Sequence, residues 1–158
     1  MKRLVLGSIL ALASTLALAD GKSTCEAGDG AYLSGQVVKG PVFAHGQFRR
    51  GVELSHTHLK LRADQDGRTY DVAIDNVFAN GYDRRKTGVP APLDTITAGE
   101  RIEVCGVLYD RGVGIHFVHA SCGRPNPSHP DGWIRRAGGA NLEANTAYCE
   151  LFGARRRF

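Results

Sequence analysis

The chain has 158 residues, 42% of them hydrophobic and 23% charged, with a formal net charge of +4. That length fits one domain with a true core. Beyond the first nineteen residues no apolar run approaches membrane length, and four cysteines without a C-x-x-C spacing argue against a thioredoxin-like motif and a four-thiolate zinc site.

The N-terminus reads as a secretory signal peptide. Met1-Lys2-Arg3 is positive, Leu4 to Leu18 is apolar, and Ala17-Leu18-Ala19 forms a cleavage motif before Asp20. Cleavage after Ala19 leaves one domain over residues 20–158 and removes Lys2 and Arg3, so eighteen basic residues face sixteen acidic ones. Much of that small excess sits in the tail Arg155-Arg156-Arg157, which reads as a solvated terminus. Cys25, Cys105, Cys122 and Cys149 all follow the cut, and an even count in an exported chain implies two disulfides. The expected location is the periplasm or the extracellular space.

Period-two alternation dominates the rest. Ala31 to Val38 is expected to form a first strand, followed by a glycine-rich connection through Pro41. Glu53 to Ala63 is a second strand, Asp64-Gln65-Asp66-Gly67 a turn, and Arg68 to Ile74 a third strand. The segment from Asp75 to Glu100 has too many Gly and Pro residues for a long helix. Arg101 to Tyr109 and Gly114 to His119 are a fourth and a fifth strand. A Pro/Gly-rich loop follows, with Trp133 expected to pack it back on the body of the fold. Asn141 to Phe152 fits a short helix capped by Asn141.

Asp66-Gly67 suggests a two-residue hairpin turn. Closing the hairpin there sets Leu61 opposite Val72, Ala63 opposite Tyr70 and Leu59 opposite Ile74. The other face then pairs Arg62 with Asp71 and His58 with Asp75, so apolar partners meet on one side and opposite charges on the other. A turn at Arg111-Gly112 places Cys105 opposite Val118. That leaves Cys122 four residues farther along, about 13 Å at strand rise, which disfavours a Cys105–Cys122 bridge. Ile115 and Phe117 are expected on the core side of strand five, with His116 and Val118 outside. The expected fold is all-β with a small α contribution: a five-stranded OB-like Greek-key barrel with a short C-terminal helix, or failing that a β-sandwich or roll.

His56 and His58 share one strand face, continued by Lys60 and Arg62. In an OB-like barrel the face of strands two and three takes oligonucleotides and sugars, so this stripe is a candidate ligand track. It is equally an ordinary solvated face. Asp75 beside a histidine would raise its basicity and could make a general base. His116 and His119 fall on opposite strand faces unless a bulge intervenes. No serine or cysteine is placed as a nucleophile.

The run "YDVAIDN", a proline-leucine pair, "ITAGERIEVCGVLY", "GIHFVH" and "HPDGWI" resembles a domain-of-unknown-function family of small exported bacterial proteins with an H-W-T-H … D-G-W-I type signature. The likeness spans about Gly35 to Ile134 and picks out Asn76, Gly99, Gly106, Tyr109, His116, His119, Asp131, Gly132 and Trp133. The chain departs from the pattern in Ile74-Asp75 before Asn76, in Phe117-Val118 between the histidines, in a longer loop before the tryptophan and in its four cysteines. The resemblance implies an OB-like barrel and a bacterial envelope location, and no activity.

Three functional readings result. The first is an exported, disulfide-stabilised binding module for a polyanion, a polysaccharide or an envelope protein, with His56, His58, Lys60, Arg62, Asn76 and Trp133 as ligand-binding candidates and no cofactor. The second is a small secreted hydrolase or nuclease using His58, Asp75, His116 and His119. The third is a metal-binding protein using His56, His58 and a carboxylate, an incomplete ligand set. Convergence of His58, Asp75, His116 and His119 on one cleft would favour the enzyme.

Overall fold

The computed structural model describes residues 21–152. The expected signal peptide and the arginine tail lie outside these residues. The alternating segments form β1 (Ala31–Arg49), β2 (Val52–Ala63), β3 (Thr69–Asp75), β4 (Arg101–Leu108), β5 (Gly114–His116) and β6 (Trp133–Arg136). They make one sheet in the order β1-β2-β3-β5-β4-β6, and a further pairing of β1 with β4 closes the first five strands into a ring. All pairs are antiparallel except β3 with β5. Leu33, Val37, Leu59, Leu61, Val72, Ile74, Ile102, Val104 and Ile115 are buried together inside the ring, each such side chain contributing roughly 1.5–3 kcal/mol.

Closure depends on β1, which is far longer than its first eight residues suggested. Residues 31–36 pair with β4, and 35–49 pair with β2 across three irregularities. The glycine-rich segment expected as a connection is therefore the bent second half of this strand. At Gly40 the backbone takes a φ of +103°, and an added Cβ would meet the Cα of Leu59 at 2.9 Å. Only glycine allows both that dihedral and that approach.

The β2–β3 hairpin forms with its expected faces, but its register is shifted by two residues. Leu59 pairs with Val72, Leu61 with Tyr70, Lys60 with Asp71 and His56 with Asp75. The turn is a four-residue loop, closed by Ala63 N–H donating to Arg68 O at 2.9 Å, with the Asp66 carboxylate accepting from Arg68 N–H and Tyr70 Oη. A shift of two keeps every side chain on its own face and changes only its neighbour.

Strand five is shorter than expected. Phe117 has a φ of +52°, a left-handed conformation that costs a bulky residue about 1–2 kcal/mol. This kink reverses the expected parity: Val118 enters the core, fully buried, and Phe117 turns outward. The β4–β5 register is the expected one, with Val107 opposite His116. Two residues along β4, Cys105 pairs with Trp133. Strands β5 and β6 thus occupy one line along β4, and residues 117–132 are a loop extruded from it opposite Gly106.

The outer face of β4 is buried as well. Residues 21–27 are helical and are tied to β4 by Cys25–Cys105. Trp133 is buried against that disulfide and Tyr32, so it anchors β6 rather than a loop. Glu103 is 1% exposed and is held by Arg135 Nε at 2.6 Å and Tyr32 Oη at 2.8 Å. The expected C-terminal helix reduces to a 3-10 turn, Cys149–Phe152. Asn141 does not cap a helix; its Oδ1 accepts from Glu143 N–H and Ile134 N–H, closing a local turn. Cys122–Cys149 is the second disulfide. Two disulfides fit an oxidising, exported compartment, and no helix among the described residues is long and apolar enough to cross a membrane.

Candidate active site

Five of the six histidines line one cleft of about 910 Å3: His56, His58, His116, His119 and His129. Strand alternation puts His56 and His58 on the same outer face of β2, their rings 6.3 Å apart. Asp75 ends β3 directly opposite His56. The kink at Phe117 supplies the bulge that brings His116 and His119 to the same side.

Asp75 is the centre of the arrangement. His56 Nε2 lies 2.7 Å from its Oδ1, and His119 Nε2 lies 3.3 Å from its Oδ2. The first contact is a hydrogen bond. The second is an ion-pair distance without hydrogen-bond alignment, and His119 Nε2 has no hydrogen-bond partner. The His119 ring is fixed by Nδ1–H donating to Ala120 O at 2.9 Å and by stacking on Phe78 at 3.8 Å between centroids. Burial alone would raise the Asp75 pKa; the two facing imidazoles of His119 and His56 outweigh it and hold the carboxyl well below the usual range. In return, the Asp75 hydrogen bond outweighs burial at His56 and raises its pKa.

His116 goes the other way. Burial lowers its pKa and outweighs the pull of Asp75 and Asp110. Tyr109 packs edge-on against its ring at 5.3 Å. The Tyr109 hydroxyl is pushed up to about 12 by burial and by Asp71, to which it donates at 3.2 Å. Asp71 also bonds His58 Nδ1 at 2.9 Å and Lys60 Nζ at 3.1 Å, so a second His–Asp pair stands beside the first. The register shift is why His58 meets Asp71 rather than Asp75.

His56, His58, Asp75, His116 and His119 converge. Lys60 and Arg62 do not join them: Lys60 is held by Asp71, and Arg62 by Gln36 Oε1 at 2.9 Å. Asn76 is fully buried and spends its amide on Thr57 and Ser55, pinning the end of β3 to β2. Trp133 is equally remote from the opening. Arg49, Phe117, Arg124, His129 and Phe152 complete the walls. Sequence reasoning missed their role, because β1 and the extruded loop reach the cleft only through their bends. Among the described residues no three His, Cys, Asp or Glu side chains are grouped as metal ligands.

A closed ring of five strands thus carries a histidine-lined cleft with Asp75 between two imidazoles. No protein-family model, curated protein or solved structure compared with the chain matches it.

Proposed function

We propose that the protein is a small exported hydrolase of phosphodiesters, with His56 as general acid and His116 as general base on an OB-like barrel. The ring order and the single parallel pair, β3 with β5, support the OB-like description. The expected signal peptide and the two disulfides support export. The carrying observation is that one cleft holds two histidines in different surroundings: His56 lies 2.7 Å from Asp75, which raises its pKa, and His116 has no such partner and is lowered by burial, the pattern that separates an acid from a base.

The sign follows directly. His56, raised, keeps its proton until the pH passes above the usual value of about 6.5; His116, lowered, has already lost its own below it. Between the two, both groups are in their working forms. Asp75 holds the imidazolium of His56 oriented and charged, and His119 braces the far oxygen of that carboxylate. Arg49 and Arg124 supply positive charge for a diester phosphate.

Cleavage of a dinucleoside phosphodiester, offered in its ribose and deoxyribose forms, by the oxidised protein is expected to follow a bell-shaped pH profile whose maximum lies between the two displaced histidine pKa values. His56→Ala and His116→Ala should each lower the rate by about 10²–10⁴-fold, each removing one limb, with the thermal transition retained. Equal rates for wild type and both variants would refute the assignment. Likeness to the exported bacterial family is part of the same proposal, supported by Tyr109, His116 and His119 all reaching the cleft. The binding-module reading would regain its place if a polyanion bound without turnover.

A further inference from the structure

We infer that the substrate is RNA, cleaved by attack of its own 2′-hydroxyl on the adjacent phosphorus. This rests on the acid–base reading above and narrows it to one polymer.

The argument begins with the nucleophile. Three hydroxyl- or sulfur-bearing side chains among the described residues line the cleft, and all are engaged. Cys122 is bonded to Cys149. The Ser121 hydroxyl donates to Gly123 O at 3.2 Å and accepts from Gly123 N–H at 3.3 Å. The Tyr109 hydroxyl donates to Asp71. The attacking oxygen must then come from the substrate or from water. An oxygen already tethered beside the phosphorus has an effective molarity of about 10⁵–10⁸ M. In RNA that oxygen is the 2′-hydroxyl, and cleaving its chain needs only what the cleft presents: one base and one acid.

The step balances. His116 takes the proton from the 2′-hydroxyl, the 2′-oxygen forms a bond to phosphorus, the bond from phosphorus to the 5′-oxygen breaks, and His56 gives its proton to that oxygen. The products are a 2′,3′-cyclic phosphate and a 5′-hydroxyl, with no change of oxidation state. Around His56 stand Asp75, His58 and His119; around His116 stand Tyr109, Asp75, Asp110 and His119.

The walls agree with this substrate. Exposed Arg49, anchored by Nη1–H donating to Leu151 O at 2.7 Å, retains guanidinium donors for a phosphate. Arg124 is exposed at the rim. Phe117 offers an aromatic wall for an unstacked base, a contact worth about 1–3 kcal/mol, while the Phe152 ring, packed on Phe78, carries the Arg49 guanidinium 5.7 Å from its centroid and so positions that charge. A cleft of about 910 Å3 has room for a dinucleotide. Polysaccharide fits less well, because glycoside hydrolysis uses a pair of carboxylates flanking the bond. Among the described residues Asp75 is the one carboxylate on the wall, and two histidines flank it.

The test uses the oxidised protein, EDTA, and four labelled twelve-mers of one sequence: RNA, DNA, 2′-O-methyl RNA, and DNA with a single ribonucleotide. RNA is expected to be cut to 2′,3′-cyclic phosphate and 5′-hydroxyl ends. The chimera should be cut once, after its ribonucleotide, and DNA and 2′-O-methyl RNA left intact. His56→Ala and His116→Ala, purified identically, should lose at least 10²-fold. Cutting of DNA at the rate of RNA would overturn the inference, as would undiminished cutting by both variants. Cutting of DNA with RNA untouched would overturn it while leaving the acid–base assignment in place; no cutting of either would remove both.

Discussion

At the scale of single residues, Asp75 has the most to lose. It is the acceptor for His56 and the counter-charge for His119, and an amide in its place keeps the shape and drops the charge. With Asp75→Asn the pKa of His56 falls back toward its ordinary value, because the hydrogen bond that raised it is its largest influence. The imidazolium is then lost at lower pH as the solution is made basic, so the basic limb of the rate profile moves down; the acidic limb moves down with it, because Asp75 also pulls the His116 pKa upward. A loss of about 10²-fold at the optimum is expected, with the C2–H resonance of His56 reporting the same downward shift by NMR titration. An unmoved basic limb would show that another group sets it. The sequence placed an aspartate beside a histidine on this face for a sound reason, alternation across a hairpin. It named His58 rather than His56 because Asp66-Gly67 resembles a two-residue turn, whereas the Asp66 carboxylate builds a wider one by capping Arg68 and Tyr70.

At the scale of elements, the site depends on the extruded loop of residues 117–132. Its two ends meet opposite Gly106. A Cβ on Gly132 would lie 2.2 Å from Phe117 O and 2.7 Å from Cys105 O, both backbone atoms that cannot move aside. Gly132→Ala must therefore spread the base of the loop, and about 2–3 kcal/mol of stability should go with it, together with most of the activity. Gly123, in the same loop, has nothing within 4 Å of an added Cβ. Gly123→Ala should leave both the melting temperature and the rate near those of the wild type. Equal effects of the two substitutions would mean that the loop base is not tightly closed. Strand β2 was legible because it alternates between core and surface, and β3 and β4 because apolar residues recur at every second position, although both faces of β4 are buried. The loop was not, since a left-handed Phe117 breaks parity in a segment whose Ile, Phe and Val composition reads as continuous strand. Strand β6 has only four residues, and its pairing with β4 is non-local.

At the scale of the whole molecule, the ring is fastened by long-range links. The two disulfides span 80 and 27 residues, worth about 4–5 and 3–4 kcal/mol in a chain-entropy account. They offset a cost placed next to the site. Glu143 is fully buried, and neither carboxyl oxygen has a hydrogen-bond partner. Burial, helped by the charge of Asp75, raises its pKa well above the usual value. In the unfolded chain the same group ionises near pH 4.3. Above that pH the folded state binds one more proton than the unfolded state, so stability falls as pH rises toward the folded pKa. One proton limits the slope to about 1.4 kcal/mol per pH unit. Urea unfolding of the oxidised protein should therefore show a midpoint that declines from pH 5 through neutrality. Glu143→Gln cannot ionise, so its midpoint should decline less over the same range while its midpoint at pH 4 stays close to that of the wild type. Parallel curves for the two proteins would mean that Glu143 sheds its proton freely in the folded state, and that its surroundings are wetter than its burial implies.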